Sequence, residues 1–288
     1  MLSLMARSHR NGTIGGRRCY SNALALENRM SSASDTGWMD YHARKMNLGP
    51  LSIFVRKLLI RTRLSTHDQT ALAELAHKIR RVEADTRILH EGDRADVCPV
   101  LLDGFVYRYK VAANGGRQIV ALKVPGDALD FQSVYLHRAD HDIRALTPAT
   151  LALIPLRQIE SLAIARPAVA RAILVDTILE GSIAREWLLN IGRRNAEARL
   201  AHLLCELFYR LGEIGPPVAQ FTVPLTQEQL ADLLGLTPVH INRMLKLLET
   251  KGAIGRSGRK LWISDLARLR DISHYSDIYL HRNEDDGA

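Results

Sequence analysis

The stretch 225–254, LTQEQLADLLGLTPVHINRMLKLLETKGAI, restricts what this chain can build more than any other. Thr226 followed three residues later by Gln229 predicts a capping box, in which each side chain occupies a backbone donor that a helix start leaves without a partner. Gly235 supplies the permissive backbone of a tight turn. Thr237 reads as a second N-cap with Pro238 at the first helical position, where a missing N–H costs nothing. The second helix is expected to run to Lys251 and stop at Gly252. Ile241, Leu245 and Leu248, with Met244 beside them, make its apolar face; Val239, Asn242, Arg243 and Lys246 make the opposite one. A structural helical hairpin would show the same two faces. Two capped helices across a one-glycine turn, with Asn, Arg and Lys on the open face, point instead to a helix-turn-helix that lies in a DNA major groove.

A wing is expected next, with short strands at 253–255 and 261–264 around Arg256, Ser257, Gly258, Arg259 and Lys260. A basic tip beside such a helix suits phosphates, which set affinity and register without reading sequence. Arg256, Arg259 and Lys260, with His240 and Lys246 on the helix, are therefore candidate backbone contacts, and Val239, Asn242 and Arg243 candidate base readers. The formal net charge of +8 fits a polyanionic partner, although charge alone does not separate DNA from RNA or an anionic membrane.

With 288 residues and 47% hydrophobic composition, the chain can bury a real core. Cys19, Cys98 and Cys205 are far apart and odd in number, which suits a reducing cytoplasm and offers no disulfide framework. Their spacing is not that of a zinc or iron–sulfur site. The most apolar long run, 172–191, contains Asp176, Glu180, Arg185 and Glu186, which argues against a membrane span.

Residues 1–45 open with a basic, Arg-, Ser- and Gly-rich run, read as a disordered extension or as sequence upstream of the true start at Met46. Arg17 and Arg18 have no apolar core behind them, so a twin-arginine signal is rejected. From 51 to 81 the pattern is helical, Ser65 capping a helix that carries Leu72, Leu75, Ala76 and Ile79. Short β-compatible runs follow, TRILH, VCPVLLDG, FVYRYKV, RQIVALKV and ATLALIP, separated by Gly92, Gly104, Gly115, Gly116 and Gly126. Phe105, Tyr107, Tyr109 and Val111 alternate with Arg108 and Lys110, the period of a half-buried strand. Such spacing implies an antiparallel, jelly-roll-like β-roll over 46–165.

Pro167 starts a long helix, assigned to 166–193, with apolar residues on more than one face. One side is expected to meet the roll and the other an identical helix, with Ile173, Ile178, Leu179, Ile183 and Trp187 as the dimer contact. A homodimer would set two recognition helices about one DNA turn apart on a two-fold site. A further helix from Asn195 ends at Gly212 in this reading, and a Gly-Pro-Pro loop leads into the DNA-binding unit, 194–270. Residues 271–288 read as a polar tail. The fold class is thus α+β: a roll, a long central helix and a C-terminal winged helix-turn-helix.

That order, with ILHEGD at 88–93, LLDGFVYRY at 101–109, PGD at 125–127 and LGLTPVHINRMLKLLETKGAI at 234–254, resembles the Crp/Fnr superfamily of bacterial transcription regulators over residues 50–270. The resemblance implies a homodimer on palindromic promoter DNA, RNA polymerase as a partner, and a signal in the roll that governs the recognition helix. It makes Arg243 the arginine that pairs with guanine O6 and N7. Thr226, Gln227 and Thr237 become backbone-contacting cap positions. Val239 stands where many members carry a glutamate, so the half-site is not legible here. Cyclic-nucleotide-binding members carry Gly-Glu and Arg-Ser pairs after PGD; this chain has Asp130–Phe131 and Ala139–Asp140. The phosphate arginine is missing, so cyclic AMP is not the expected effector, and neither a cofactor nor another effector is assigned. His137 and His141 would face one metal only on a helix, and His90 or His141 would serve a haem; ordinary hydrogen-bonded histidines are the expectation. Cys98 is expected to pack in the sheet and Cys205 in a helix core. Two alternatives remain: a cupin-like metal enzyme, disfavoured because no clustered His-x-His is present, and a DNA-binding regulator whose roll is purely structural.

Overall fold

The computed structural model describes residues 49–136, 138–214, 225–257 and 260–282. The readings made for 1–45, His137, the Gly-Pro-Pro loop, Gly258, Arg259, the side chain of Lys260 and 283–288 lie outside the described residues.

Two short helices come first, α1 (Ser52–Leu59) and α2 (Thr66–Ala73). Ser65 caps α2 as expected, with Asp68 completing a capping box. The helix does not continue to 81, however. It ends at Ala73, and Ile79 lies on a strand, half exposed. Lys78, Arg80 and Arg81 surround it, and an open sheet edge tolerates such charge.

The strands are β1 (Lys78–Val82), β2 (Arg87–Leu89), β3 (Val97–Asp103), β4 (Val106–Val111), β5 (Arg117–Lys123), β6 (Asp142–Ala145) and β7 (Ala149–Pro155). They form two antiparallel sheets, ordered β1-β7-β3 and β2-β6-β4-β5, the faces of the expected roll. Strand β4 departs from the half-buried expectation. Tyr107, Arg108 and Tyr109 are all buried, whereas Val111 is half exposed. Both faces of the sheet are covered at these three residues. Tyr107 and Tyr109 join the apolar cluster of the C-terminal helices, and Arg108 makes its hydrogen bonds with Leu129 and Glu180.

The helix α3 (Leu156–Ala165) leads to α4 (Pro167–Arg193), whose Pro167 occupies the start as predicted. Helix α5 (Ala196–Ile214) begins with Asn195, whose Oδ1 accepts from the Ala198 amide at 2.9 Å. It passes through Gly212 rather than stopping there, and Ile214 at its end is buried.

The five α4 residues expected at a dimer contact differ in burial. Leu179 and Trp187 are buried within the chain's own fold, and Ile173 and Ile183 pack partly against its clusters. Of the five expected residues Ile178 is the one that stands open, at 55% exposure, with Leu174 at 57% and Leu188 at 73% beside it in sequence. The α5 helix and the C-terminal segment cover the other faces, and nothing local in α4 signals that.

The C-terminal unit holds α6 (Gln227–Leu234), α7 (Pro238–Thr250), the antiparallel pair β8 (Ile254–Ser257) and β9 (Lys260–Ile263), and α8 (Leu266–Ser273). The stretch after 271 is not a tail as far as 282. Tyr275 and Leu280 are buried, Tyr279 donates to Glu206 at 2.9 Å, and the Leu280 carbonyl accepts from Arg61 Nε at 2.7 Å. Apolar and aromatic residues at 275–280 supply the driving force for that packing.

Candidate nucleic-acid interface

The two helices of the recognition unit are built by the caps that their residues dictate. Thr226 Oγ1 accepts from the Gln229 amide at 3.2 Å, and Gln229 Oε1 accepts from the Thr226 amide at 2.9 Å. Gly235 closes α6 in the left-handed region, φ +62°, where a side chain would be strained. Thr237 Oγ1 then accepts from the His240 amide at 3.3 Å to open α7. Leu230, Ala231, Leu233 and Leu234 of α6 meet Ile241, Met244, Leu245 and Leu248 of α7 in one buried cluster. The recognition helix is therefore held by its whole apolar face, and its other face is free.

That face is the one expected. Val239 is 81% exposed, and Asn242, Arg243 and Lys246 are exposed with it. Arg243 Nη2 lies 3.0 Å from His240 Nε2, one turn earlier on the same helix. Thr226, Gln227 and Thr237 are exposed at the two helix starts, where free backbone N–H groups and the positive helix end favour a phosphate. An Arg, an Asn and an apolar side chain on one open face match guanine, adenine and thymine-methyl edges in turn.

The wing is present, and Gly255 is required in it: a Cβ there would meet the Trp262 ring at 2.3 Å. Arg256, expected on phosphate, is partly buried and lies against Glu249 in the free chain, with Nη2 at 2.8 Å from Oε2. Lys251 is likewise paired with Glu197 at 2.6 Å.

A second constellation escaped the sequence reading because its members are far apart in the chain. Arg108 Nε donates to the Leu129 carbonyl at 2.9 Å and Nη1 to Glu180 Oε2 at 2.6 Å. Lys123 Nζ donates to the Ala128 carbonyl at 3.1 Å and to Glu180 Oε1. Asp127, of the PGD turn, pairs with Lys57 and Arg210 at 3.0 Å each. Burial alone would raise its pKa; Lys57, Arg210 and Lys123 outweigh burial and hold the carboxyl well below the usual range. Arg210 Nη1 in turn donates to Glu206 Oε1 at 3.1 Å. The available signal was faint, because Arg108 and Lys123 share their strands with Lys110 and Arg117, and Glu180 shares its helix with Asp176, Arg185 and Glu186.

The remaining candidates are quiet. His90 Nδ1 is 2.6 Å from Asp142 Oδ1, and buried His141 is 2.6 Å from Asp140 Oδ1, in a turn rather than a helix. Among the described residues no group of three or more His, Cys, Asp and Glu is placed to hold a metal ion. No described helix is long and apolar enough to cross a membrane. Cys98 and Cys205 are buried, and burial pushes each thiol up to about 12.

Comparison with known proteins agrees with both halves of this architecture. The Crp-like helix-turn-helix domain matches residues 198–272, and the cyclic nucleotide-binding domain matches 79–165. The nitrogen fixation regulation protein FixK of Bradyrhizobium diazoefficiens is 31% identical over 213 residues, 73% of this chain and 88% of that protein. The transcriptional activator protein FnrL of Cereibacter sphaeroides is 28% identical over 208 residues, 70% and 83% of the two chains. Among solved structures, FixK2 from Bradyrhizobium japonicum superposes with a TM-score of 0.65 at 27% identity, covering 70% of this chain and all of that one. A CRP-family regulator from Thermus thermophilus, at 19% identity and a TM-score of 0.56, covers 68% of this chain and 97% of its own; it shares the fold.

Proposed function

The chain belongs to the Crp/Fnr family of DNA-binding transcription regulators, and from that premise we propose that it binds two-fold-symmetric promoter DNA as a homodimer. Each half-site is read by Arg243 on a guanine, with Asn242 and Val239 contacting neighbouring bases. Thr226, Gln227, Thr237, His240 and Lys246 hold the backbone. The observation that carries this reading is the open face of α7, where Val239, Asn242, Arg243 and Lys246 stand exposed while the whole opposite face is buried.

Dimerisation is supported by a seam on α4. Leu174, Ile178, Gly181, Arg185 and Leu188 recur at alternating steps of four and three residues, the mean spacing of a coiled-coil contact line. Three of them are apolar side chains more than half exposed, which a lone chain gains nothing by displaying. A second α4 packed along that line removes them from water.

Cyclic AMP does not fit the roll. Arg108 and Lys123, buried cations near the segment after PGD, are already committed to Glu180 and to backbone carbonyls. Asp130, wholly buried and next after Leu129, whose carbonyl Arg108 holds, would repel a cyclic phosphate. The regulator acts in the cytoplasm, with RNA polymerase as its partner at the promoter and no chemical reaction of its own.

Selection of bound sequences from random duplex DNA, with protein starting at Met1 and at Met46, tests the reading. The expected result is a two-fold site with one guanine per half. No enriched motif with either protein would overturn it.

A further inference from the structure

We infer that Glu180 is a built-in ligand of the roll: its carboxylate, carried on the central helix, takes the anionic position between Arg108 and Lys123 that a diffusible effector would have to fill. The inference rests on the DNA-binding reading above and extends it to how the recognition unit is held.

Arg108 and Lys123 lie on neighbouring strands β4 and β5, 8% and 3% exposed. Each uses one set of donors on the carbonyls of Leu129 and Ala128, which pins the segment after the PGD turn. Each then reaches the same carboxylate, Arg108 on Oε2 and Lys123 on Oε1. Two buried cations beside each other are unstable without an anion, and Glu180 supplies it from another element. Burial would raise the Glu180 pKa, yet Lys123 and Arg108 bring it below its ordinary value, so the group is an anion at neutral pH.

A closed circuit follows from that placement. Glu180 joins α4 to the roll. Seven residues on, Trp187 of α4 donates to Glu206 of α5 at 2.9 Å. One turn beyond Glu206, Arg210 returns from α5 to Asp127 in the roll at 3.0 Å. The roll, the central helix and the first helix of the DNA-binding unit are thus bound pairwise by the chain's own side chains. Helix α6 adds a fourth link, because Asp232 accepts from Arg117 Nε of β5 at 2.6 Å. The recognition helix is set by this circuit without a ligand from solution.

The test uses the full-length protein and reads both thermal unfolding and affinity for the selected DNA site. For the wild type, millimolar cyclic AMP, cyclic GMP or inorganic phosphate should leave the melting temperature and the DNA affinity unchanged. Glu180→Gln should lower specific affinity by about tenfold, a typical size for coupling between sites. Glu180→Ala should do the same, and propionate, replacing chloride at equal ionic strength, should restore melting temperature and affinity beyond any effect of that swap on the wild type. Wild-type melting or affinity raised by any of the three added anions would overturn the inference. So would Glu180 variants that match the wild type, or a Glu180→Ala protein that propionate does not stabilise. The melting arm involves no DNA, so failure of the DNA-binding reading and failure of this one separate cleanly.

Discussion

Trp187 on the central helix donates its indole N–H to Glu206 Oε2 of α5 at 2.9 Å, and that same oxygen accepts from the Tyr279 hydroxyl at 2.9 Å. Glu206 is fully buried, and its other oxygen accepts from Arg210. A residue expected to face a second copy of the chain is therefore a strut inside one copy. Trp187→Phe keeps an aromatic side chain, though a smaller one, and removes one donor to a buried carboxylate, which should cost at least about 1–3 kcal/mol. Denaturant unfolding of the variant beside the wild type reads that difference. A change under a few tenths of a kcal/mol would mean that the bond contributes nothing.

Arg243 and Lys246 sit one turn apart on the exposed face of α7, yet their loss should look different. Arg243→Ala should cost about 1–3 kcal/mol at the specific site and relax preference at one base pair per half. Lys246→Ala should weaken all sequences alike and reduce the salt slope by about one unit. Competition binding against a panel of single-base variants, repeated over a salt series, separates the two roles. Unchanged base preference in Arg243→Ala would count against its placement in the groove.

Leu174, Ile178 and Leu188 should govern assembly, whereas Leu179 should govern folding. Ile178→Asp with Leu188→Asp places charges on the open seam and should dissociate the dimer with little loss of monomer stability. Leu179→Ala, at a position 5% exposed, should instead destabilise the fold by about 2–5 kcal/mol. Sedimentation velocity and thermal melting on the same preparations read both effects. A double aspartate variant that remains dimeric would place the interface elsewhere.

The features legible in the sequence are those with local causes. Thr226–Gln229, Thr237–Pro238 and Gly235 specify α6, the turn and α7 within a dozen residues, and each cap is found where its residues predict. The β1 edge was hidden because Lys78, Ile79, Arg80 and Arg81 show no alternation, all four being exposed. The faces of α4 were hidden for another reason. Which side of a broadly apolar helix meets its own chain depends on α5 and on Tyr279, residues that lie far along the sequence. The same holds for Arg108, Lys123 and Glu180, whose pairing is a property of the tertiary structure alone.

Asp176, one turn before Glu180 on α4, gives the network a pH dependence whose sign is fixed. Burial, then the nearby Glu180 and Asp127 carboxylates, push its pKa up to about 6 from an ordinary 3.8. The folded chain therefore holds this proton more tightly than the unfolded chain does. Its contribution favours folding fully below about pH 4 and is lost as pH rises through about 6, after which it stays constant. Asp176→Asn removes a carboxylate that resists ionising, so the variant should be more stable than the wild type at pH 7.5 by about 1–3 kcal/mol. The two should differ far less at pH 4, and the gap should open between the ordinary pKa of 3.8 and the raised one of about 6, staying constant above it. Parallel denaturant titrations across that range read the difference directly and cancel the other titrating groups. A gap of the opposite sign at pH 7.5 would mean that Asp176 is held as an anion by Lys123 rather than pushed toward neutrality by Glu180.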